Sequence, residues 1–203
     1  MTKIKFCGLS CPQDIQAANR LLPDYIGFVF VPESRRFVTQ ETAWRLKEML
    51  DPRIQAVGVF ADESPKVMAR LANQKLIHMI QLHGQETDQA IRSVRRMTQV
   101  PILQAFTIHT AGDLSRAEAS SADLILLDSG AGTGTVFDWN QIQGRIKRPF
   151  FLAGGLNPAN VAASIRKLSP CGVDVSSGIE TDGRKDKRKM AEFAAAVRKE
   201  NMI

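Results

Sequence analysis

Two periodicities alternate along this chain. Short runs rich in β-branched and aromatic residues read as strands: IKFC (4–7), YIGFVF (25–30), IQAVGVF (54–60), HMIQLH (78–83), PILQAF (101–106), DLILLD (123–128), FFLAG (150–154) and GVDVS (172–176). Between them lie longer segments whose apolar residues recur at helical spacing, among them PQDIQAANRLL, TQETAWRLKEML, SPKVMARLANQ, ETDQAIRSVRRM, NPANVAASIRKL and DKRKMAEFAAAVRK. Thr39, Ser64 and Asn157 stand where N-caps are expected, the last two directly before proline. The weakest unit is the sixth helix, in DWNQIQGRI, where Gly144 and short length work against it.

Eight strands recurring every 20 to 30 residues or so, with helices between them, predict a parallel sheet covered by helices. The count matches a closed (β/α)₈ TIM barrel, and closure leaves no edge strand exposed. The rival is an open doubly wound sheet, but the first strand–turn, KFCGLSCP, lacks the G-x-G-x-x-G fingerprint. The expectation is therefore one (β/α)₈ domain over residues 1–203, compact for that fold.

Composition narrows the class of function. Hydrophobic residues make up 44% and charged residues 24%, ordinary values for a globular protein. No run approaches the roughly 18 apolar residues of a membrane span. The opening MTKIKFCGL runs straight into a strand without the zones of a signal peptide, so a cytoplasmic protein with no membrane partner is expected. Cys7, Cys11 and Cys171 are odd in number, and His78, His83 and His109 lie in different segments, so neither a metal site nor a disulfide is expected. The net charge of +6 suits an anionic ligand. It would also suit nucleic acid, but that calls for a basic face with interleaved aromatics, and aromatics are only 6%. The basic run Arg184, Lys185, Lys187, Arg188 and Lys189 reads as the solvated face of a last helix with Met190, Phe193 and Val197 turned inward.

In a barrel of this kind the functional groups gather at the C-terminal ends of the strands, with phosphate commonly bound after strands seven and eight. Those two loops read AGGLNP and VSSGIE. Gly154 and Gly155 let backbone N–H groups approach an anion and turn into a helix starting near Asn157, and Ser177 and Gly178 can do the same at a short extra helix. Either pair also reads as the tight turn that any barrel needs. Cys7 closes the first strand, as a small buried hydrophobe or as a base or nucleophile. Asp128 ends the apolar run LILL, as a turn cap or as a working carboxylate. His83, ending the fourth strand, is a structural or a catalytic histidine. Of Arg35 and Arg36, one can form a bidentate fork with a carboxylate and the other reads as a surface residue. Cys11 and Cys171 read as structural. The segment AGTGTVFDW reads as a loop able to close over a ligand, anchored by Phe137 and Trp139.

Taken in order, KIKFCGL, DYIGFVFVPESRRFV, VGVF, IQLHG, LLDS, GTGTVFDW, LAGGLNPANV and VDVSSGIE with GRKD behind it resemble the phosphoribosylanthranilate isomerases of tryptophan biosynthesis over essentially the whole chain. The resemblance implies a (β/α)₈ barrel that carries out an Amadori rearrangement of a phosphorylated small molecule, without metal or cofactor, as a monomer or homodimer. It implies Asp128 as general acid and Cys7 as general base. It further implies Arg36 at the anthranilate carboxylate, His83 and Asp174 at the substrate, and Gly154, Gly155, Ser177 and Gly178 at the phosphate. Ala131 departs from the family's glycine after strand six, which would cost energy if that position needs a positive φ. Two related barrels fit less well. The histidine-pathway isomerase resembles a pair of catalytic aspartates where this chain has Cys7, and a pentose-phosphate epimerase needs metal ligands at several strand ends.

Overall fold

The computed structural model describes residues 1–128 and 139–202. Its strands are β1 (Lys3–Cys7), β2 (Tyr25–Val29), β3 (Gln55–Phe60), β4 (Met79–Leu82), β5 (Ile102–Thr107), β6 (Leu124–Asp128), β7 (Phe150–Ala153) and β8 (Gly172–Val175). Each pairs in parallel with the next, and β8 pairs with β1, so the sheet is a closed (β/α)₈ barrel. The covering helices are α1 (Pro12–Leu21), α2 (Gln40–Glu48), α3 (Pro65–Asn73), α4 (Asp88–Arg95), α5 (Ala111–Ala119), α6 (Val161–Leu168) and α7 (Lys187–Glu200). A small antiparallel pair, β9 (Glu180–Thr181) and β10 (Arg184–Lys185), lies between β8 and α7. No helix among the described residues is long and apolar enough to cross a membrane.

Three details differ from the sequence reading. After β6 the described residues hold only a 3₁₀ turn, Trp139–Gln141, in place of a sixth helix. Gly144 takes φ +72°, a left-handed conformation that ends a helical turn rather than extending it. The helix expected near Asn157 starts at Val161 instead, with Asn160 as its N-cap. Pro158 opens a turn, in which Asn157 accepts from the Ala159 N–H at 2.9 Å and the Asn160 side chain accepts from the Asn157 N–H at 2.9 Å. Finally, Ser64 occupies the N-cap of α3 without a side-chain bond, whereas Thr39 does cap α2 by accepting from the Thr42 N–H at 3.1 Å.

Alternation along each strand divides the core in two. Residues facing the helices form the main core, where Phe6 of β1 meets Phe193 of α7 edge-on at 6.3 Å and Phe28 and Phe60 are fully buried. Residues facing the barrel axis form a second core of Val57, Met79, Leu103, Leu126 and Phe151, topped by a layer of Cys7, Val29 and Val59. Phe151 fills the N-terminal end. Its ring lies edge-on to Tyr25 at 5.9 Å, and it occupies the space over Gly172, where a Cβ would stand 2.3 Å from Cε1. Apolar packing thus plugs one end of the barrel and leaves the other for chemistry.

Gly172→Ala should therefore displace the Phe151 ring and cost about 1 to 3 kcal/mol, the usual price of overpacking. Chemical denaturation will show it, and Phe151→Leu in the same chain should recover part of the loss. An unchanged midpoint for Gly172→Ala would mean that the ring is not held there.

Candidate active site

A cavity of about 360 Å³ opens at the C-terminal ends of the strands. It collects Cys7, Arg36, His83, Asp128 and Asp174, and on its other side Gly154, Gly155 and Ser177. Gly178 stands behind this lining. A Cβ there would lie 1.8 Å from the Leu156 carbonyl oxygen, so this glycine lets the loops after β7 and β8 touch. Cys11, at the N-cap of α1, and Cys171, whose thiol donates to the Phe150 carbonyl at 3.0 Å, do not line the cavity. Ala131 and Phe137 lie outside the described residues, and Trp139 packs partly buried against the main core.

Cys7 ends β1 opposite Gly27 of β2. A Cβ on Gly27 would stand 2.8 Å from the Cys7 Sγ and 3.2 Å from the Lys5 Nζ, so thiol and ammonium share the space beside this glycine. Lys5 is fully buried, and its Nζ donates to Asp174 Oδ1 at 3.0 Å. Burial works against the lysine's charge, but Asp174 and Cys7 outweigh it and hold the ammonium above its usual range. Burial likewise pushes the Cys7 thiol up. Lys5 pulls it down, Asp174 pushes it up again, Lys185 pulls it down, and the net direction is upward. Sequence reading missed Lys5, although the alternation of KIKFC puts it on the same face as Cys7.

The rim on the β2 side is an ion cluster around one buried carboxylate. Arg36 binds Glu180 through two parallel bonds, Nε to Oε1 at 2.7 Å and Nη2 to Oε2 at 3.0 Å. Arg35 adds a bond to Oε2 at 2.7 Å, and Lys185 one to Oε1 at 2.7 Å. Burial pushes Glu180 up, but Arg36 and Lys185 prevail and hold its carboxyl below the usual range. The Arg36 stem crosses Gly8, which has φ +75° and where a Cβ would lie 2.3 Å from Cδ. The guanidinium is thus fixed before any ligand arrives, with its remaining N–H groups available.

Two expectations about the basic run need correcting. Lys185 belongs to β10 and is buried, with its Nζ on the Ser176 carbonyl at 3.0 Å as well as on Glu180. Lys189 is on α7, but its Nζ reaches the Glu180 carbonyl at 2.6 Å. These two are not part of a solvated face, because Glu180 draws both in. Met190, Phe193 and Val197 are fully buried, as the helical spacing predicts. Across the mouth, His83 Nε2 lies 3.7 Å from Asp128 Oδ2, and the His83 N–H donates to the Phe60 carbonyl at 2.8 Å. Among the described residues no three His, Cys, Asp or Glu side chains are grouped to hold a metal ion.

A closed (β/α)₈ barrel with a thiol, carboxylates and a fixed arginine converging on its C-terminal mouth has the architecture of a small-molecule enzyme. Residues 4–196 match the family model described as N-(5′-phosphoribosyl)anthranilate (PRA) isomerase. The chain is 45% identical over 192 residues to the N-(5′-phosphoribosyl)anthranilate isomerase of Lactiplantibacillus plantarum, covering 94% of this chain and 89% of that one. It superposes on the crystal structure of the Thermotoga maritima phosphoribosylanthranilate isomerase with a TM-score of 0.88 and 32% identity, covering 98% of this chain and 100% of the other. A crystal structure of a phosphoribosylanthranilate isomerase in complex with reduced 1-(o-carboxyphenylamino)-1-deoxyribulose 5-phosphate gives a TM-score of 0.85, again at 32% identity and with coverage of 98% and 100%. The chain belongs to the N-(5′-phosphoribosyl)anthranilate isomerase family.

The charges around Cys7 can be tested without turnover. Removing Asp174 takes away an influence that raises the thiol, so in Asp174→Asn the pH midpoint of Cys7 alkylation by iodoacetamide should fall. Lys5→Met removes one that lowers it, so there the midpoint should rise. Cys11→Ala and Cys171→Ala in the background isolate the Cys7 signal. Midpoints that stay put in both variants would show that neither charge reaches the thiol.

Proposed function

We propose that Cys7 and Asp128 catalyse, as general base and general acid, the isomerisation of N-(5′-phosphoribosyl)anthranilate to 1-(2-carboxyphenylamino)-1-deoxyribulose 5-phosphate. A single (β/α)₈ domain carries the reaction. The observation that supports this reading best is the placement of a buried thiol at the end of β1 and a carboxyl group at the end of β6 on one cavity, with two glycine-containing loops beside them.

The steps are proton transfers. Asp128 gives its proton to the furanose ring oxygen as the C1′–O bond breaks, and the nitrogen lone pair forms a C1′=N⁺ Schiff base. The Cys7 thiolate removes the C2′ proton, whose electron pair neutralises the iminium and leaves an enolamine. Tautomerisation then moves a proton from the 2′ hydroxyl to C1′, by way of the two side chains, giving the amino ketone and restoring both groups. A C–H bond needs a strong base, and burial supplies one by raising the thiol; the Lys5 ammonium keeps the thiolate within reach. Gly154, Gly155 and Ser177 would hold the phosphate through backbone N–H groups, with Gly178 keeping the two loops together. The outer edge of Arg36 would take the anthranilate carboxylate, leaving His83 and Asp174 at the sugar.

Turnover should be followed by the loss of substrate fluorescence with fresh N-(5′-phosphoribosyl)anthranilate in EDTA, because no step calls for a metal. Cys7→Ala and Asp128→Ala should each lower kcat by at least about 10²-fold, while Cys11→Ala and Cys171→Ala change it little. Since catalysis needs a Cys7 thiolate and a protonated acid together, kcat/KM should be bell-shaped in pH, and the raised thiol should put the alkaline limb above the ordinary thiol range. Wild-type-like turnover in Cys7→Ala would remove the base assignment.

Arg36→Ala should raise KM by roughly one to two decades, the value of a charge-assisted contact. Arg35→Ala should matter far less, because its side chain is 59% exposed and a surface ion pair contributes only about 0 to 1 kcal/mol. Equal effects from both would place carboxylate recognition elsewhere.

A further inference from the structure

Two buried glutamines on adjacent strands differ in one respect. Gln104 of β5 is fully served by the protein: its Nε2 donates to the Glu86 carbonyl at 2.9 Å and its Oε1 accepts from the Ser120 hydroxyl at 2.6 Å. Gln81 of β4 is 1% exposed and lines the cavity, and its Oε1 is the one buried side-chain nitrogen or oxygen without a hydrogen-bond partner among the described residues. Leaving such an atom unsatisfied is costly enough that native proteins seldom do so outside functional sites. An amide oxygen can only accept, so the missing partner is a donor.

We propose that Gln81 Oε1 accepts a hydrogen bond from the anilino N–H of the substrate, an assignment that rests on the isomerase reading above. The phosphate and carboxylate of that substrate offer only acceptors, which leaves its hydroxyls and its single N–H. Gln81 is in register with Val59, which with Val29 forms the apolar layer at the cavity floor. That surface suits the aromatic ring, and the N–H is bonded directly to the ring. The loops after β7 and β8, expected to take the phosphate, lie across the barrel from β4. When the ring opens, this nitrogen becomes the N–H of a cationic Schiff base and a stronger donor. The bond to Gln81 therefore tightens as the C1′–O bond breaks, which favours the transition state over the bound substrate.

A chemical double-mutant cycle tests this. Binding of reduced 1-(o-carboxyphenylamino)-1-deoxyribulose 5-phosphate, and of its counterpart with an ether oxygen in place of the N–H, is measured by calorimetry on wild type and Gln81→Met. The wild type should prefer the N–H compound by roughly tenfold, and Gln81→Met should bind the two alike. Gln81→Leu, which also lacks the acceptor, should repeat that result, so that poor folding of one variant does not hide it. In turnover, Gln81→Met should lower kcat by a larger factor than it raises KM. A preference for the N–H compound that persists undiminished in both variants overturns the Gln81 assignment and leaves the isomerase reading intact. A wild type that neither binds these compounds nor turns over N-(5′-phosphoribosyl)anthranilate overturns both.

Discussion

Closing an eight-stranded sheet requires its first and last strands to meet in one register, and in this protein that seam carries a buried ion pair. Lys3, Ile4, Lys5 and Phe6 of β1 lie opposite Gly172, Val173, Asp174 and Val175 of β8, so Lys5 and Asp174 are direct cross-strand partners. Taking either charge out of water costs several kcal/mol, which their mutual attraction offsets only in good geometry. A slip of one residue would turn one partner to the other face of the sheet and leave the other buried alone. The pair is thus a weak source of stability but a strong penalty against a misregistered seam. The same register sets Cys7 at the mouth, one alternation above Lys5, and so connects barrel closure to the chemistry of the thiol.

The second organising charge is Glu180, placed just beyond β8 by the short β9–β10 pair. Its carboxylate draws in Arg36 from the loop after β2 and Lys185 from the segment behind it, and its main-chain carbonyl accepts from Lys189. Lys185 also binds the Ser176 carbonyl, and the Ser176 hydroxyl donates to the Cys7 carbonyl at 3.0 Å. One buried carboxylate therefore ties the arginine on one side of the mouth to the loop after β8 and to the backbone of the thiol. An arginine held in this way loses less side-chain entropy when it meets a ligand than a free one would. Its bidentate face is already used, so the carboxylate proposed to bind there would meet the outer edge of the guanidinium.

The strands were legible because a barrel strand buried on both faces is a short run of β-branched and aromatic residues, and each run here ends in Gly, Pro or a polar turn. The ends of those strands are legible for the same reason, which is why Cys7, His83 and Asp128 can be marked as mouth residues, whereas Asp174, inside β8, is pointed to only by the family resemblance. What stayed hidden was the set of polar residues whose partners come from far along the chain. Lys5 reads as an ordinary surface lysine until Asp174, 169 positions away, is brought beside it. Lys185 lies in a basic run whose local spacing suggests a wet helix face, and only Glu180 reverses that. Gln81 sits in MIQL, where period-two alternation puts it on the inner face, but sequence alone does not show whether an inward amide will find a partner. Pro158 misled in a simpler way, because the same residue that opens a helix at its first position also opens a turn.

In the base role proposed for it, Cys7 answers to two opposing requirements. A base strong enough to take a proton from carbon gains from being buried, since desolvation raises its affinity for that proton. Burial alone would also hold it as a thiol at neutral pH. The fixed charges around it allow the compromise to be adjusted: Lys5 on the same strand and Lys185 on β10 favour the thiolate, while Asp174 opposes it and neutralises part of Lys5. A bound phosphate would add negative charge near Ser177 and push the thiol further up, whereas a cationic Schiff base in the same cavity would pull it down at the step where the base is needed. Under the proposed mechanism the substrate's own change of charge would help ionise the thiol, while the protein holds Lys5 beside it.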